Sequence, residues 1–263
     1  MKNKIKKYLK VWWLLCKNSF MSTLANRLGS TFFLLGKIIR FFIYILFIVF
    51  LLKGTNTLAG YNLNQTMFFY LTFNLVDITS QFLFREVYRF RRQIVEGSFD
   101  LVLSKPINAL FRSLFGGADI LDLFTIPPLI IAIIFVSKGL DPNIVSIILY
   151  VLLILNSLVI AASFHILVLG LGIISFEIDH TVMIYRDLAN LGRFPIDIYK
   201  EPLKGVLTFI IPIGTMMTLP AKTFMNLVSF NAVLISFVIG VIFLFLSIKF
   251  WNFSLTKYSS ASS

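Results

Sequence analysis

Between Ile144 and Ile174 the sequence reads IVSIILYVLLILNSLVIAASFHILVLGLGII, without one Asp, Glu, Lys or Arg. As a helix this run would be about 45 Å long at 1.5 Å per residue, against roughly 30 Å of hydrocarbon in a bilayer. A second uncharged run, Leu227 to Ile248, is also long enough to cross. Backbone polar groups cannot be left unsatisfied in hydrocarbon, so runs of this kind are helices. With 58% hydrophobic residues, 29 Phe and only 14% charged residues, the 263-residue chain lacks the polar surface of a water-soluble domain. The predicted class is an all-α integral membrane protein.

Further spans are predicted at 31–52, 65–84 and 118–136. The first includes Lys37 and Arg40, expected to snorkel to headgroups near one membrane surface. In the third, Pro127 and Pro128 predict a kink. The fourth span, 144–174, follows the connection KGLDP, where Asp141 is expected to cap and Pro142 to open the next helix. After the sixth span, 227–248, the residues KFWNFSLTKYSSASS read as a short polar tail.

The fifth span is ambiguous. Residues 176–195 carry Glu177, Asp179, His180, Arg186, Asp187 and Arg193, too many for a lipid-facing helix. Residues 205–221 are apolar but broken by Pro212 and Pro220. Hydropathy selects the second piece; the alternative makes the polar piece span against a partner or cavity, with a re-entrant hairpin after it.

The net charge of +12 is concentrated in the first 27 residues and between Arg85 and Arg112. That distribution is the positive-inside bias and places both termini in the cytoplasm, facing anionic lipid rather than nucleic acid. Residues 1–28 are read as an amphipathic helix on the membrane surface, because Leu9, Trp12, Trp13 and Cys16 recur at helical spacing beside lysines. A cleavable signal peptide is not expected there, since the apolar core VWWLLC is short. Cys16 is the sole cysteine, which excludes an internal disulfide framework.

Catalytic and cofactor motifs are missing from the sequence. LLGKII lacks the earlier glycine and the hydroxyl of a phosphate loop, and no H-E-x-x-H or G-x-S-x-G occurs. The chain is therefore not expected to be an enzyme or to hold a cofactor or metal. His165 is expected to hydrogen-bond between helices, and Glu177 with His180 forms the one sensible i, i+3 pair. Asp77 is expected either to be satisfied through Asn74 or Gln81 or to serve function. An ion- or proton-coupled secondary transporter would use Asp77, Asp119 or Glu177 as carriers, and stands as the alternative.

The most punctuated passage is FREVYRFRRQIVEGSFDLVLSKPINALF, residues 84–111. Gly97 should break a basic helix continuing the second span, and Pro106 should start the helix leading to the third. Between them Phe99, Val102 and Leu103 form one apolar side of a short helix, shaped to enter a groove on a soluble domain.

Here the sequence resembles the permease subunits of ATP-binding-cassette exporters of the type 2 export-permease family, in a bacterial branch with an I-x-x-G-x-h-D-x-x-L-x-K-P motif. The matching residues are Ile94, Gly97, Phe99, Asp100, Leu103, Lys105 and Pro106, joined by RFPIDIY and IPIGTMMTLPAKTF further on. The resemblance implies six spans, with the fifth at 176–195 and a re-entrant segment at 196–226. It implies a cytoplasmic coupling helix within 93–110, with Glu96 to Pro106 docking a separate ATPase that holds ATP and Mg2+. It also implies a second permease subunit, a heterodimer being favoured, in a bacterial cell membrane. The unusual polarity of Asp77, Glu177, Asp179, Arg186, Asp187 and Arg193 points to a dimer interface or pathway wall. The expected cargo is amphipathic or lipidic.

Overall fold

The computed structural model describes residues 2–175 and 178–259, and these are helical almost throughout. In chain order the helices are α1 (Lys2–Ala25), α2 (Arg27–Thr55), α3 (Leu63–Phe84), α4 (Phe90–Val95), α5 (Phe99–Leu103) and α6 (Ala109–Phe115). They continue with α7 (Ile120–Ser137), α8 (Ile144–Ser175) and α9 (Ile178–Asn190). The short pair α10 (Leu203–Ile210) and α11 (Gly214–Phe224) precedes α12 (Phe230–Thr256). Among the described residues five helices are long and apolar enough to cross a membrane, and the bent pair α10–α11 raises this to six if counted as one span.

Local chemistry fixes the helix boundaries. Asn62 and Gln65 form a reciprocal capping box at the start of α3. The backbone N–H of Ser146 donates to Asn143 at 2.7 Å, so Asn143 caps α8. The expected cap, Asp141, instead sits at φ +44° in the turn before it. Pro106 does not open a helix either: α6 begins at Ala109 under an Asn108 cap. Gly97 adopts φ +69°, a left-handed conformation that a side chain disfavours, and this ends α4 and redirects the chain into α5.

The long apolar α8 forms the centre, with Ile160, Ala161, Leu169 and Ile173 buried against α3, α9 and α12. Helices α8 and α12 approach closely: a Cβ on Gly170 would lie 2.8 Å from the Phe250 ring and 2.9 Å from the Ser254 hydroxyl. By contrast α2 stands at the edge and reaches the bundle through Ile48 and Leu52 against Tyr70. Phe41, Tyr44 and Ile45 are part-buried beside them, while many of its other apolar side chains, Phe32 and Phe42 among them, are exposed, as a lipid-facing helix requires.

Helix α12 runs two turns past Ile248, and Trp251 is buried. The expected short polar tail is thus corrected: as far as Thr256 it is helix. The helical apolar period continues through Trp251 and Leu255, so these turns have a face to bury.

Helix α9 and the residues after it run antiparallel to α3. Asp179 lies 3.3 Å from Arg91, Arg186 lies 2.8 Å from Asp77, and the Asp197 carboxylate accepts from the Tyr61 hydroxyl at 2.9 Å. Rising numbers on one segment thus meet falling numbers on the other. Helices α10 and α11 then meet at 78°, each built on a π-helical turn, with Ile213, Met216 and Met217 buried at the bend. Wide turns of this kind cluster where a helix must deviate for function.

Candidate functional site

Ion pairs cross the interior among the described residues. Arg186 on α9 holds Asp77, which also accepts from Gln81 at 2.8 Å. Arg85 holds Asp119 at 3.2 Å, and Lys37 on α2 pairs with Asp122 on α7. The Asp122 side chain is fully buried, so Lys37 neutralises it rather than snorkelling to headgroups. Arg40 remains exposed. Asp77 is satisfied by Gln81 and Arg186, while Asn74 turns back to the Tyr70 carbonyl.

His165 also departs from expectation. Its Nδ1 bonds the Ala161 carbonyl at 2.7 Å within its own helix, and its ring packs among Phe84, Tyr88 and Tyr185. An i to i−4 carbonyl is the nearest acceptor a buried helical side chain can reach.

The residues marked on 176–195 separate into inward and outward sets. Arg186 pairs with Asp77, while Arg193 stacks over Tyr44 at 4.2 Å and donates to Asn190 at 2.6 Å. Asp179 and Arg91 form an exposed pair. Asp187 is exposed with Met183 and Ile184 on the outer face of α9, and makes no ion pair among the described residues. Glu177, and with it the pairing to His180, lies outside the described residues.

The end of the bundle that carries the arginines is tied together tightly. Glu86 is buried and accepts from Arg112 and Gln93, each at 2.8 Å, which clasps the entry to α4 against α6. Helix α1 lies along the same passage: Lys7 donates to the Pro106 carbonyl, the Tyr8 hydroxyl accepts from the Asn108 N–H, and Ser19 donates to the Ala118 carbonyl.

Between these ties α5 has two faces. Phe99 is 0% exposed, edge-on to Phe90 at 5.1 Å and to Tyr258 at 5.2 Å, with Trp251 beside both phenylalanines. Asp100 accepts from the Tyr258 hydroxyl at 2.9 Å; that contact and burial push the phenol up to about 12, burial being the larger cause. The expected outward anchor Phe99 therefore points into the protein, because a ring this large finds its apolar cage inside the chain. Val102 is buried beside it. The outward face carries Leu101 (63% exposed) and Leu103 (40%), with Val95 at the end of α4 (58%) and Glu96, Lys105 and Pro106 also exposed. Gly97 and Ser98 are half-buried at the joint.

Leu101, Trp251, Tyr258 and Glu86 are the residues that sequence reasoning missed. For Trp251 and Tyr258 a signal was present: Trp251, Ser254, Leu255 and Tyr258 continue a helical stripe past the uncharged run. Charge and the Ser-rich end concealed it.

At the opposite end Asp197 gathers Lys204 at 2.8 Å, Lys222 at 2.6 Å and the Tyr61 hydroxyl. Burial alone would raise this carboxyl; the hydrogen bonds from Lys204, Lys222 and Tyr61 outweigh it and hold it at about 2. The Tyr61 phenol is pushed up, by burial first, then by its hydrogen bond to Asp197 and by that carboxylate's charge.

A helical bundle with several membrane-length helices and ion pairs buried among them defines a multi-pass membrane protein. A family model described as ABC-2 family transporter protein matches residues 38–262, and the chain belongs to that family. It is accordingly a membrane permease component of an ATP-binding-cassette transporter, in a family whose ATPase is a separate subunit. No curated protein matches the sequence. Membership replaces the secondary-transporter alternative, and two of its suggested carriers, Asp77 and Asp119, are each held by an arginine.

Proposed function

We propose that the chain forms half of an export pathway in a bacterial cell membrane, with the arginine-rich end and both termini in the cytoplasm. Residues 178–198 then make the fifth crossing, and α10–α11 form a hairpin entering from outside. Their antiparallel course along α3, from Arg91 to Tyr61, supports this reading. In it Asp197 closes the outer end.

The α5 segment is the coupling helix, and the observation that carries the reading is the exposed step of Leu101 and Leu103, with Val95 at the end of α4, flanked by Glu96 and Lys105. An apolar centre with a charged rim is the anatomy of a docking site. ATP and Mg2+ bind on the partner ATPase, whose closure pushes this step and rocks the spans. Phe99 and Asp100 act from behind, fixing the segment to the bundle.

The second permease is an unlike chain. If two copies met through α9 with Asp187 at the symmetry axis, it would oppose its own copy, and like charges repel there. A partner cation removes that cost. The cargo is amphipathic or lipidic, consistent with the apolar outer faces of α8 and α12.

The test is purification of the tagged chain from its native membrane, with co-purifying ATP hydrolysis as readout. Leu101→Asp with Leu103→Asp should remove at least about 90% of it, a loss of roughly 1.4 kcal/mol or more, and leave the thermal midpoint of the permease unchanged. Full retention of hydrolysis would show that the ATPase docks elsewhere.

A further inference from the structure

The cage around Phe99 joins segments that are far apart in the chain. Phe90 belongs to α4, Phe99 to α5, and Trp251 and Tyr258 to the last turns of α12 and the residues just after it. Trp251 is 2% exposed, and the Tyr258 hydroxyl reaches Asp100 on the turn where α5 begins. From Trp251 outward, α12 is bound to α8: Phe250 and Ser254 lie against Gly170, and further along Asn156 of α8 donates to the Ser236 carbonyl and hydroxyl of α12 at 3.0 and 2.9 Å. A packed aromatic joint thus ends on a helix pair that runs the length of the bundle.

We infer that Trp251 and Tyr258 are positioning residues for energy coupling: together they make α12 a strut that carries motion of α5 directly into the α8–α12 pair. The inference rests on the reading of α5 as the coupling helix and adds its load path. Motion also leaves α5 through its chain neighbours, α4 and α6, which lead to α3 and α7 and themselves pack against α8. Those connections pass through Gly97 and through the non-helical residues between α5 and α6, both of which flex more readily than packed rings. The strut bypasses them. It also gives the charged end of α12 a role, since Lys249 and Lys257 remain exposed while the stripe between them is buried.

The test separates docking from transmission in the permease–ATPase complex. Spin labels at Asn18 on α1 and Asn252 on α12, both exposed, report the distance between a surface helix and the strut with and without a non-hydrolysable ATP analogue. Trp251→Ala with Tyr258→Ala should retain the ATPase at wild-type stoichiometry while reducing the analogue-induced distance change and the permease-stimulated hydrolysis by about five-fold or more, the lower range of coupling between sites. Tyr258→Phe, which keeps the ring against Phe99 and drops the hydroxyl, should restore most of the response. A wild-type distance change in the double variant would overturn the strut, as would a double variant that loses the ATPase itself. Absence of an ATPase on the unsubstituted chain would overturn the docking reading beneath both.

Discussion

At the end opposite the arginines Asp197 meets two lysines and a phenol, and the α10–α11 pair, the α2–α3 connection and the segment after α9 are drawn to one carboxylate. At the arginine-rich end α5 is tied only from behind, and its front leaves Leu101 and Leu103 bare. The first end is complete within one chain. The second leaves an exposed leucine pair on a segment whose other side is caged, and in the proposed function this pair meets the ATPase. Closure at one end and incompleteness at the other is the arrangement expected of a machine driven from one side.

The sharpest way to break this comparison is Phe99→Ala. Removing a fully buried ring leaves a cavity and should cost about 3–5 kcal/mol, read as a large fall in thermal midpoint in detergent. Leu101→Ala on the opposite face of α5 should shift that midpoint by no more than about 0.5 kcal/mol, yet weaken ATPase retention. Equal stability losses at the two positions would mean that α5 does not have an inner and an outer face.

Next in size is the Asp197 end. Asp197→Asn should cost about 1–2 kcal/mol, discounted for the partial exposure of Lys204, and leave ATPase retention unchanged. The sign of its pH dependence is fixed. The carboxyl is held at about 2 in the folded chain against 3.8 unperturbed, so its contribution is complete above roughly pH 4 and is lost as pH falls toward 2. The stability difference between Asp197→Asn and the unsubstituted chain should therefore be constant from pH 7 to about 4 and shrink below. A difference that changes between pH 5 and 7 would assign the effect to another group.

How much of this was legible in the sequence differs by element. The uncharged runs of α8 and α12 announced helices, because hydrocarbon permits little else. Gly97 announced a break, because a positive φ favours glycine. What sequence could not supply was direction. A five-residue helix carries too short a pattern to tell which of Phe99, Leu101 and Leu103 faces inward, and the answer depends on Trp251 and Tyr258, some 150 residues away. The same holds for Lys37: snorkelling was the local solution, and Asp122 on α7 was the distant one. Charge in a membrane chain marks a residue as costly but does not name its partner.

Asp187 carries the smallest effect on the isolated chain and the largest consequence for the assembly. It lies one residue beyond Arg186, whose partner Asp77 sits well inside α3, yet it faces outward between Met183 and Ile184. On the proposed reading of α9 as the fifth crossing, a carboxylate at that depth cannot rest against lipid without a steep cost, so its surroundings there are a partner chain or water. For the purified subunit in detergent, Asp187→Asn should change the thermal midpoint by no more than about 0.5 kcal/mol, because no contact within the chain is lost. In native membranes the same substitution should lower the recovery of the second permease by an amount set by one buried charge pair, about 2–5 kcal/mol if that pair is dry. Asp187→Asn with undiminished recovery of the second subunit would instead place the carboxylate on the aqueous pathway. The outer face of α9 would then be a wall of the conduit, and the unlike-subunit contact would have to be sought on the exposed length of α2.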